Sequence, residues 1–109
     1  MSQAAAGNQV VWYLAWVRQV SAMAGRPNAN TFHDGQQVYL RQLPNEKWMV
    51  FDGTDQYLVL ATEDAKLALK TCRDAERKAR LAEDQEDVMR RYAQAVARHG
   101  TVFACRPRY

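Results

Sequence analysis

VYLRQLPNEKWMVFDGTDQYLVLA, residues 38–61, is the most informative part of this sequence. Three short runs within it are rich in β-branched and aromatic residues, which favour strands: 38–43, 47–51 and 56–61. A Pro-Asn pair at 44–45 and an Asp-Gly pair at 52–53 separate these runs, and both pairs are typical of tight turns. These residues therefore predict a three-stranded antiparallel meander.

Upstream of the meander, residues 9–19 (QVVWYLAWVRQ) are apolar on almost every side. Periodicity does not distinguish a strand buried on both faces from a buried helix here, because few polar residues mark a face. The content of Val and aromatic residues favours a strand through about Val17, followed by a short helical turn at 21–24. Residues 25–36 (GRPNANTFHDGQ) are rich in Gly, Pro, Asn and Asp, and we expect a loop that carries an interaction surface.

Downstream of the meander, Thr62 is a suitable N-cap, and two acidic residues follow it where they complement the helix dipole. We expect a helix from about 63 to 82. The acidic run 83–87 resembles a new helix start with Asp84 as its cap, which predicts either a bend or a second helix. A final short strand is expected at 101–105.

These elements predict one α+β domain over residues 1–109, with a polar tail at 1–8. In this fold an antiparallel meander of three to five strands is packed on one face by one bent or two C-terminal helices. The length of 109 residues suits a single domain with a thin core. The apolar run at 10–17 is too short to span a bilayer and lacks the preceding basic residues of a signal peptide, so we expect a cytoplasmic protein without a membrane partner.

Charge and cysteine content exclude several classes of protein. The net charge is only +3, which by itself does not indicate a nucleic-acid or membrane partner. Cys72 and Cys105 have no CxxC spacing and no clustered histidines, so a zinc site and a disulfide scaffold are both disfavoured. We expect both thiols to be reduced and buried, with a bridge between them as the alternative.

Catalytic chemistry has little support in the sequence. His33 and Asp34 fall in the predicted loop, but no spacing ties them to the other carboxylates as acid–base catalysis requires. Asp52 and Asp55 flank a turn, and turn geometry accounts for them. The glycines are too scattered for a phosphate-binding loop. We therefore expect no enzymatic activity, no cofactor and no small-molecule substrate.

A basic stripe is the first candidate binding feature. Five basic residues recur at helical spacing on the predicted helix from 63 to 82: Lys66, Lys70, Arg73, Arg77 and Arg80. Such a row is able to follow successive phosphates or an acidic protein surface. Acidic neighbours such as Asp74 and Glu76 compensate these charges, so a solvated helix face is the simpler interpretation. Nucleic-acid binding through this stripe is therefore the alternative function.

Aromatic residues are the second candidate feature. Trp12 and Trp16 lie close together in the apolar segment, and two interpretations stay open: both fill the core, or side chains of this size exceed what a thin core covers and form an interface. Together with Phe32 and His33 of the predicted loop, they are the candidate contacts for a protein partner or a second copy of the chain. We therefore predict a small non-enzymatic interaction or regulatory protein that acts by protein binding or self-association.

Three short motifs follow the order strand, strand, strand, helix: Leu40-Arg41, Lys47-Trp48-Met49-Val50 and Ala61-Thr62-Glu63-Asp64-Ala65. Between residue 38 and about residue 78, this order resembles the arm-type DNA-binding domain at the N-terminus of tyrosine recombinases, in which the sheet enters the major groove. The likeness concerns the order of elements over less than half of the chain. Such a likeness does not imply a function, and no family is assigned on it.

Overall fold

A computed structural model describes residues 10–26, 28–71 and 80–99 of the chain. Within these residues, six strands form one antiparallel sheet: β1 (Tyr13–Val17), β2 (Gln37–Gln42), β3 (Trp48–Phe51), β4 (Tyr57–Leu60), β5 (Leu69–Lys70) and β6 (Arg80–Leu81). The helical elements of the same described residues are two α-helices and two 3₁₀ helices: α1 (Thr62–Ala68), α2 (Gln85–His99), Val20–Met23 and Ala29–Thr31. The predicted α+β class and the antiparallel meander are confirmed. The polar tail at 1–8, both cysteines and the strand expected at 101–105 lie outside the described residues.

The apolar N-terminal segment forms an interior strand of the sheet. The strands follow the order β4-β3-β2-β1-β5, and β6 pairs with β1 beside β5. Because β1 contains Val and aromatic residues with both faces apolar, it suits a position between other strands. The strand and the helical turn that the sequence favours here are confirmed, the turn as the 3₁₀ helix Val20–Met23.

The second edge of β1 is covered by a strand in two halves. Lys70 of β5 lies opposite Trp16, and Arg80 of β6 lies opposite Leu14, which precedes Trp16 by two residues in β1. The N–H of Ala82 continues this pairing with a hydrogen bond of 3.0 Å to the carbonyl of Trp12. Two half-strands, β5 and β6, therefore pair with the same edge of β1.

The helix predicted from 63 to 82 ends at Ala68 instead. Leu69 and Lys70 pair with β1, and Thr71 has a φ of 73°, a left-handed conformation that a right-handed helix does not contain. The local sequence favours a helix, but the free backbone groups on the edge of β1 need hydrogen-bond partners. Strand pairing at this edge outweighs the small differences in helix propensity. Thr62 also differs from its expected role as a cap, because its hydroxyl donates to the carbonyl of Glu46 at 2.9 Å.

A separate second helix, α2, begins where the acidic run predicts it. The carboxylate of Asp84 accepts a hydrogen bond of 2.8 Å from the N–H of Asp87, which confirms Asp84 as the cap. The side-chain amide of Gln85 then ties the helix start to β1. It accepts from the N–H of Trp12 at 2.7 Å and donates to the carbonyls of Trp12 at 3.0 Å and Ala82 at 2.8 Å.

The helices are distributed over both faces of the sheet, whereas the sequence places them on one. Ala65 and Ala68 of α1 pack with the 3₁₀ helices on one face, and Val88 and Ala95 of α2 pack on the other. All four residues of β3 are buried, with Trp48 and Val50 on the α1 face and Met49 and Phe51 on the α2 face. A strand that is apolar on both sides needs a cover on each side. No helix in the described part of the chain has the length and apolarity to cross a membrane.

Hydrogen bonds from the middle and the end of α2 attach the helix to the turn between β3 and β4. Arg91 Nη1 donates to the carbonyl of Gly53 at 2.6 Å. Near the end of the helix, Arg98 Nε donates to Asp55 Oδ1 at 2.7 Å, and His99 Nε2 lies 3.0 Å from the same oxygen. Hydrogen bonds from His99 and then from Arg98 hold the pKa of Asp55 below its ordinary value of 3.8.

Substitution of Gly53 by Ala tests how closely this turn packs. Gly53 has a φ of 97°, and a Cβ there would lie 3.0 Å from Tyr39 Cε1 and 3.2 Å from Arg91 Nη1. Gly35 is the matched control, because it has a φ of 85° but nothing within 4 Å of the added carbon. In urea denaturation we expect Gly35→Ala to cost about 1 kcal/mol for the backbone conformation and Gly53→Ala to cost at least about 2 kcal/mol. Equal losses in the free energy of unfolding of the two variants would show that a methyl group added at residue 53 does not clash with Tyr39 or Arg91.

Replacement of Asp55 by Asn tests the attachment of α2 to the turn. A carboxyl group with a lowered pKa in the folded chain stabilises the fold above its unfolded pKa of about 4 and loses this effect as the pH falls. We expect Asp55→Asn to lower the thermal midpoint at pH 7, with a difference from the unmodified chain that shrinks below about pH 4. A difference that persists unchanged at pH 2.5 would contradict an electrostatic attachment.

Candidate partner-binding surface

Cross-strand pairing arranges the side chains of the α2 face in rows, since directly opposite residues share a face. Three rows cross the sheet. The first row is Lys70–Trp16–Gln37, the second is Arg80–Leu14–Tyr39–Phe51–Tyr57, and the third is Arg41–Met49–Val59.

Helix α2 covers the second and third rows through an aromatic cluster. The ring of Tyr92 lies 5.4 Å from that of Trp12, 5.6 Å from that of Phe51 and 5.6 Å from that of Tyr57, measured between centroids. The guanidinium of Arg41 lies over the rings of Trp12 and Tyr92, at 5.6 and 5.5 Å. These tilted and edge-on contacts form the core beneath the helix.

The first row lies at the margin of the core beneath α2, and Trp16 packs against that core. Trp16 is half-buried, and its two neighbours in the row, Lys70 and Gln37, are exposed. A cleft of about 340 Å³ adjoins this row, between the sheet and the start of α2. Its walls include apolar and charged side chains: Leu14, Gln37, Tyr39, Arg80, Ala82, Glu83, Asp84, Val88 and Arg91. We use the name corner surface for Trp16, Gln37, Tyr39, Lys70 and Arg80.

The two walls of the cleft differ in charge. On the sheet side, Arg80 lines the cleft, and Lys70 lies in the adjoining row without lining it. Both are exposed, and neither forms an ion pair with another residue that the structure describes. On the helix side lie the carboxylates of Glu83 and Asp84, of which Asp84 caps α2, and the guanidinium of Arg91. The corner surface itself carries two cations and no carboxylate.

Arg91 lies deeper in the same cleft and is already committed to partners. Its Nη2 lies 2.9 Å from Asp87 Oδ2, and its guanidinium is 5.5 Å from the centroid of the Tyr39 ring. Hydrogen bonding to Tyr39, and then to Asp87, raises the pKa of Arg91 above its ordinary value. Arg91 thus keeps its positive charge while it fixes the position of Tyr39.

The structure separates the four predicted partner contacts. Trp12 and Phe32 are 0% and 1% exposed, so both belong to the core and a partner cannot reach them in this fold. They also lie in the cores of opposite faces of the sheet. Trp12 is buried because α2 lies over it and over Arg41, which contacts its ring. The sequence pattern did not reveal that a helix covers this part of the sheet. Trp16 and His33 remain accessible, and their role in binding stays a prediction.

The basic stripe does not form along one helix. Lys66 is in α1, where its ammonium lies 3.6 Å from Glu63, whereas Lys70 is in β5 and Arg80 is in β6. Arg73 and Arg77 lie outside the described residues. The sheet instead brings Lys70 and Arg80 to the same edge, next to Trp16. Their contact with nucleic acid or with an acidic surface remains a prediction.

Sequence reasoning missed Gln37, Tyr39 and Arg91 as members of this region. Because side chains alternate along a strand, Tyr39 lies on the face opposite to that of its neighbours Val38 and Leu40. This alternation is a signal that the sequence contains. The proximity of Arg91 to Tyr39 depends on the path of α2 across the sheet, for which the sequence carries no local signal.

The loop histidine is not part of an acid–base pair with the turn carboxylates. His99 at the end of α2 contacts Asp55, while the backbone N–H of His33 donates to Gln36 Oε1 at 2.9 Å. Among the described residues, no group of three or more His, Cys, Asp or Glu side chains is arranged to hold a metal ion.

Comparison with models of protein families, with curated proteins and with solved structures finds no match to this chain. The likeness to the arm-type DNA-binding domain therefore has no further support. In addition, α1 and α2 cover opposite faces of the meander, so neither face of β3 is open to enter a DNA groove.

Substitution of each tryptophan separates a core role from a surface role. Trp12→Ala removes a fully buried ring from the aromatic cluster, and we expect a loss of about 3–5 kcal/mol in the free energy of unfolding. Trp16→Ala removes a half-buried ring, and the expected loss is about 1–2 kcal/mol, so the variant stays folded. Chemical denaturation followed by circular dichroism measures both losses. Similar losses would place Trp16 in the core as well.

Proposed function

We propose that this chain is a non-enzymatic protein-binding module that uses the corner surface to hold a partner protein or a second copy of itself. The observation that carries the proposal is Trp16, a large aromatic side chain left half-buried in a row at the margin of the core beneath α2. Aromatic residues that are accessible and firmly held make dominant contributions to protein interfaces, because they bury much area at little cost in conformational entropy. A cytoplasmic location, expected from the sequence, belongs to the same proposal.

The rigidity of the surroundings supports this function. Trp16 lies on β1, an interior strand that pairs with β2 on one side and with β5 on the other. Arg91 holds Tyr39 in place on the adjoining row. A surface that is already ordered loses little conformational freedom when a partner binds, and this favours affinity.

Nucleic-acid binding is the second candidate function, and the position of Lys70 directly opposite Trp16, with Arg80 in the next row, favours it. Proteins that bind single-stranded nucleic acids combine aromatic side chains, on which bases stack, with basic side chains that contact the backbone. It has less support, because the predicted five-residue stripe is not formed on one helix and because Glu83 lies on the facing wall of the cleft.

Random-peptide display on the full chain, together with light scattering after size exclusion, tests the proposal. We expect either enriched peptides or a salt-resistant dimer, and at least about a tenfold loss of either affinity in Trp16→Ala. Gln37→Tyr is a second disrupting variant, because it adds bulk at an exposed strand position next to Trp16 without touching the core. Lys47→Glu, in the exposed turn between β2 and β3, is the control and leaves binding unchanged.

Two results would contradict protein binding at this surface. The first is binding or dimerisation that both disrupting variants leave intact. The second is a larger particle in size exclusion when single- or double-stranded oligonucleotides are added at low salt only, which would favour the nucleic-acid function.

A further inference from the structure

We propose that the corner surface recognises an extended segment of a partner protein that carries acidic side chains at alternate positions. This inference rests on the proposed protein-binding function and specifies the chemistry of the partner. It follows from the spacing of two exposed cations beside Trp16 and from their lack of counter-ions among the described residues.

The interrupted edge strand brings the two cations together. Lys70 and Arg80 are ten residues apart in the sequence, yet they lie opposite Trp16 and Leu14, which are alternate residues of β1. Alternate residues of a strand share one face, and their Cα atoms are about 7 Å apart. Lys70 and Arg80 therefore project from the α2 face as neighbouring side chains with about the same separation.

This separation matches the repeat of an extended peptide. Alternate side chains of a bound extended segment point to one side and recur every 7 Å or so. Two carboxylates separated by one residue thus align with Lys70 and Arg80 simultaneously. A helical segment presents neighbouring side chains at three- and four-residue intervals instead and does not reproduce this alignment.

The charges of the cleft favour an acidic occupant over a neutral one. Lys70 and Arg80 repel each other across this distance, and no carboxylate of the described residues neutralises either of them. An acidic segment relieves this repulsion and gains charge-assisted hydrogen bonds.

Glu83 determines on which side of the cleft the acidic residues lie. It is exposed beside the start of α2 and lines the cleft, where it repels a nearby carboxylate, and the one cation that the described residues place on that wall, Arg91, is already paired with Asp87. Acidic side chains are therefore directed to the sheet wall, and the occupant has a single favoured orientation.

The test uses the full chain and four labelled synthetic peptides in a common Gly/Ser background, measured by fluorescence anisotropy. The first peptide has two glutamates separated by one leucine, the second has them adjacent, the third has them separated by three residues, and the fourth has glutamines in the first arrangement. We expect the first peptide to bind at least about fivefold more tightly than the others at low ionic strength. A single-stranded oligonucleotide of the same net charge is expected to bind more weakly than the first peptide.

Charge reversal on each wall gives effects of opposite sign. We expect Lys70→Glu and Arg80→Glu each to weaken binding of the first peptide by about three- to tenfold, because each exchanges an attraction for a repulsion. Glu83→Lys strengthens binding, and Lys47→Glu at the distant turn leaves it unchanged. All four substituted residues are exposed, so the variants are expected to fold.

The inference is overturned if the four peptides bind equally, if none binds, or if the reversals at Lys70 and Arg80 have no effect. Tighter binding of the oligonucleotide also overturns it. Peptide binding that depends on Trp16 but not on Lys70 or Arg80 would leave the protein-binding function standing while removing acidic recognition. Loss of the dependence on Trp16 in the display experiment would remove the protein-binding function itself.

Discussion

Hydrogen bonding along both edges of β1 is the constraint on which the rest of the structure depends. One edge pairs with β2, so the meander is attached to the N-terminal segment. The other edge needs partners of its own, and these come from β5 directly after α1 and from β6 directly before α2. The length of α1 and the starting point of α2 are therefore both set by a strand that lies far from them in the sequence.

The same constraint accounts for the two-sided cover of the sheet. The side chain of Gln85 forms three hydrogen bonds at the start of β1, two of them to the main chain of Trp12. From this point α2 runs over the aromatic cluster to the turn at Gly53 and Asp55. The path leaves the row of Trp16 at the margin of the core, and the corner surface exists because the cover is incomplete there.

Much of the fold is predictable from the sequence, since local signals define it. Turn pairs at 44–45 and 52–53 delimit the meander, and the acidic run around Asp84 marks the start of α2. The end of α1 is not predictable in this way, because helix-favouring residues continue beyond Ala68 and only pairing with β1 stops the helix. Trp12 and Trp16 look alike in the sequence, and their different exposure depends on the path of α2. For the same reason the neighbouring positions of Lys70 and Arg80 carry no sequence signal.

The interrupted edge strand has a consequence for how this protein tolerates change in length. Because β5 ends and β6 begins at nearby points of one edge, the sheet does not dictate how many residues connect them. A change of one residue within β1, by contrast, would shift every following side chain to the opposite face and displace the partners of both half-strands at once. The register of β1 therefore fixes the positions of Lys70 and Arg80 together.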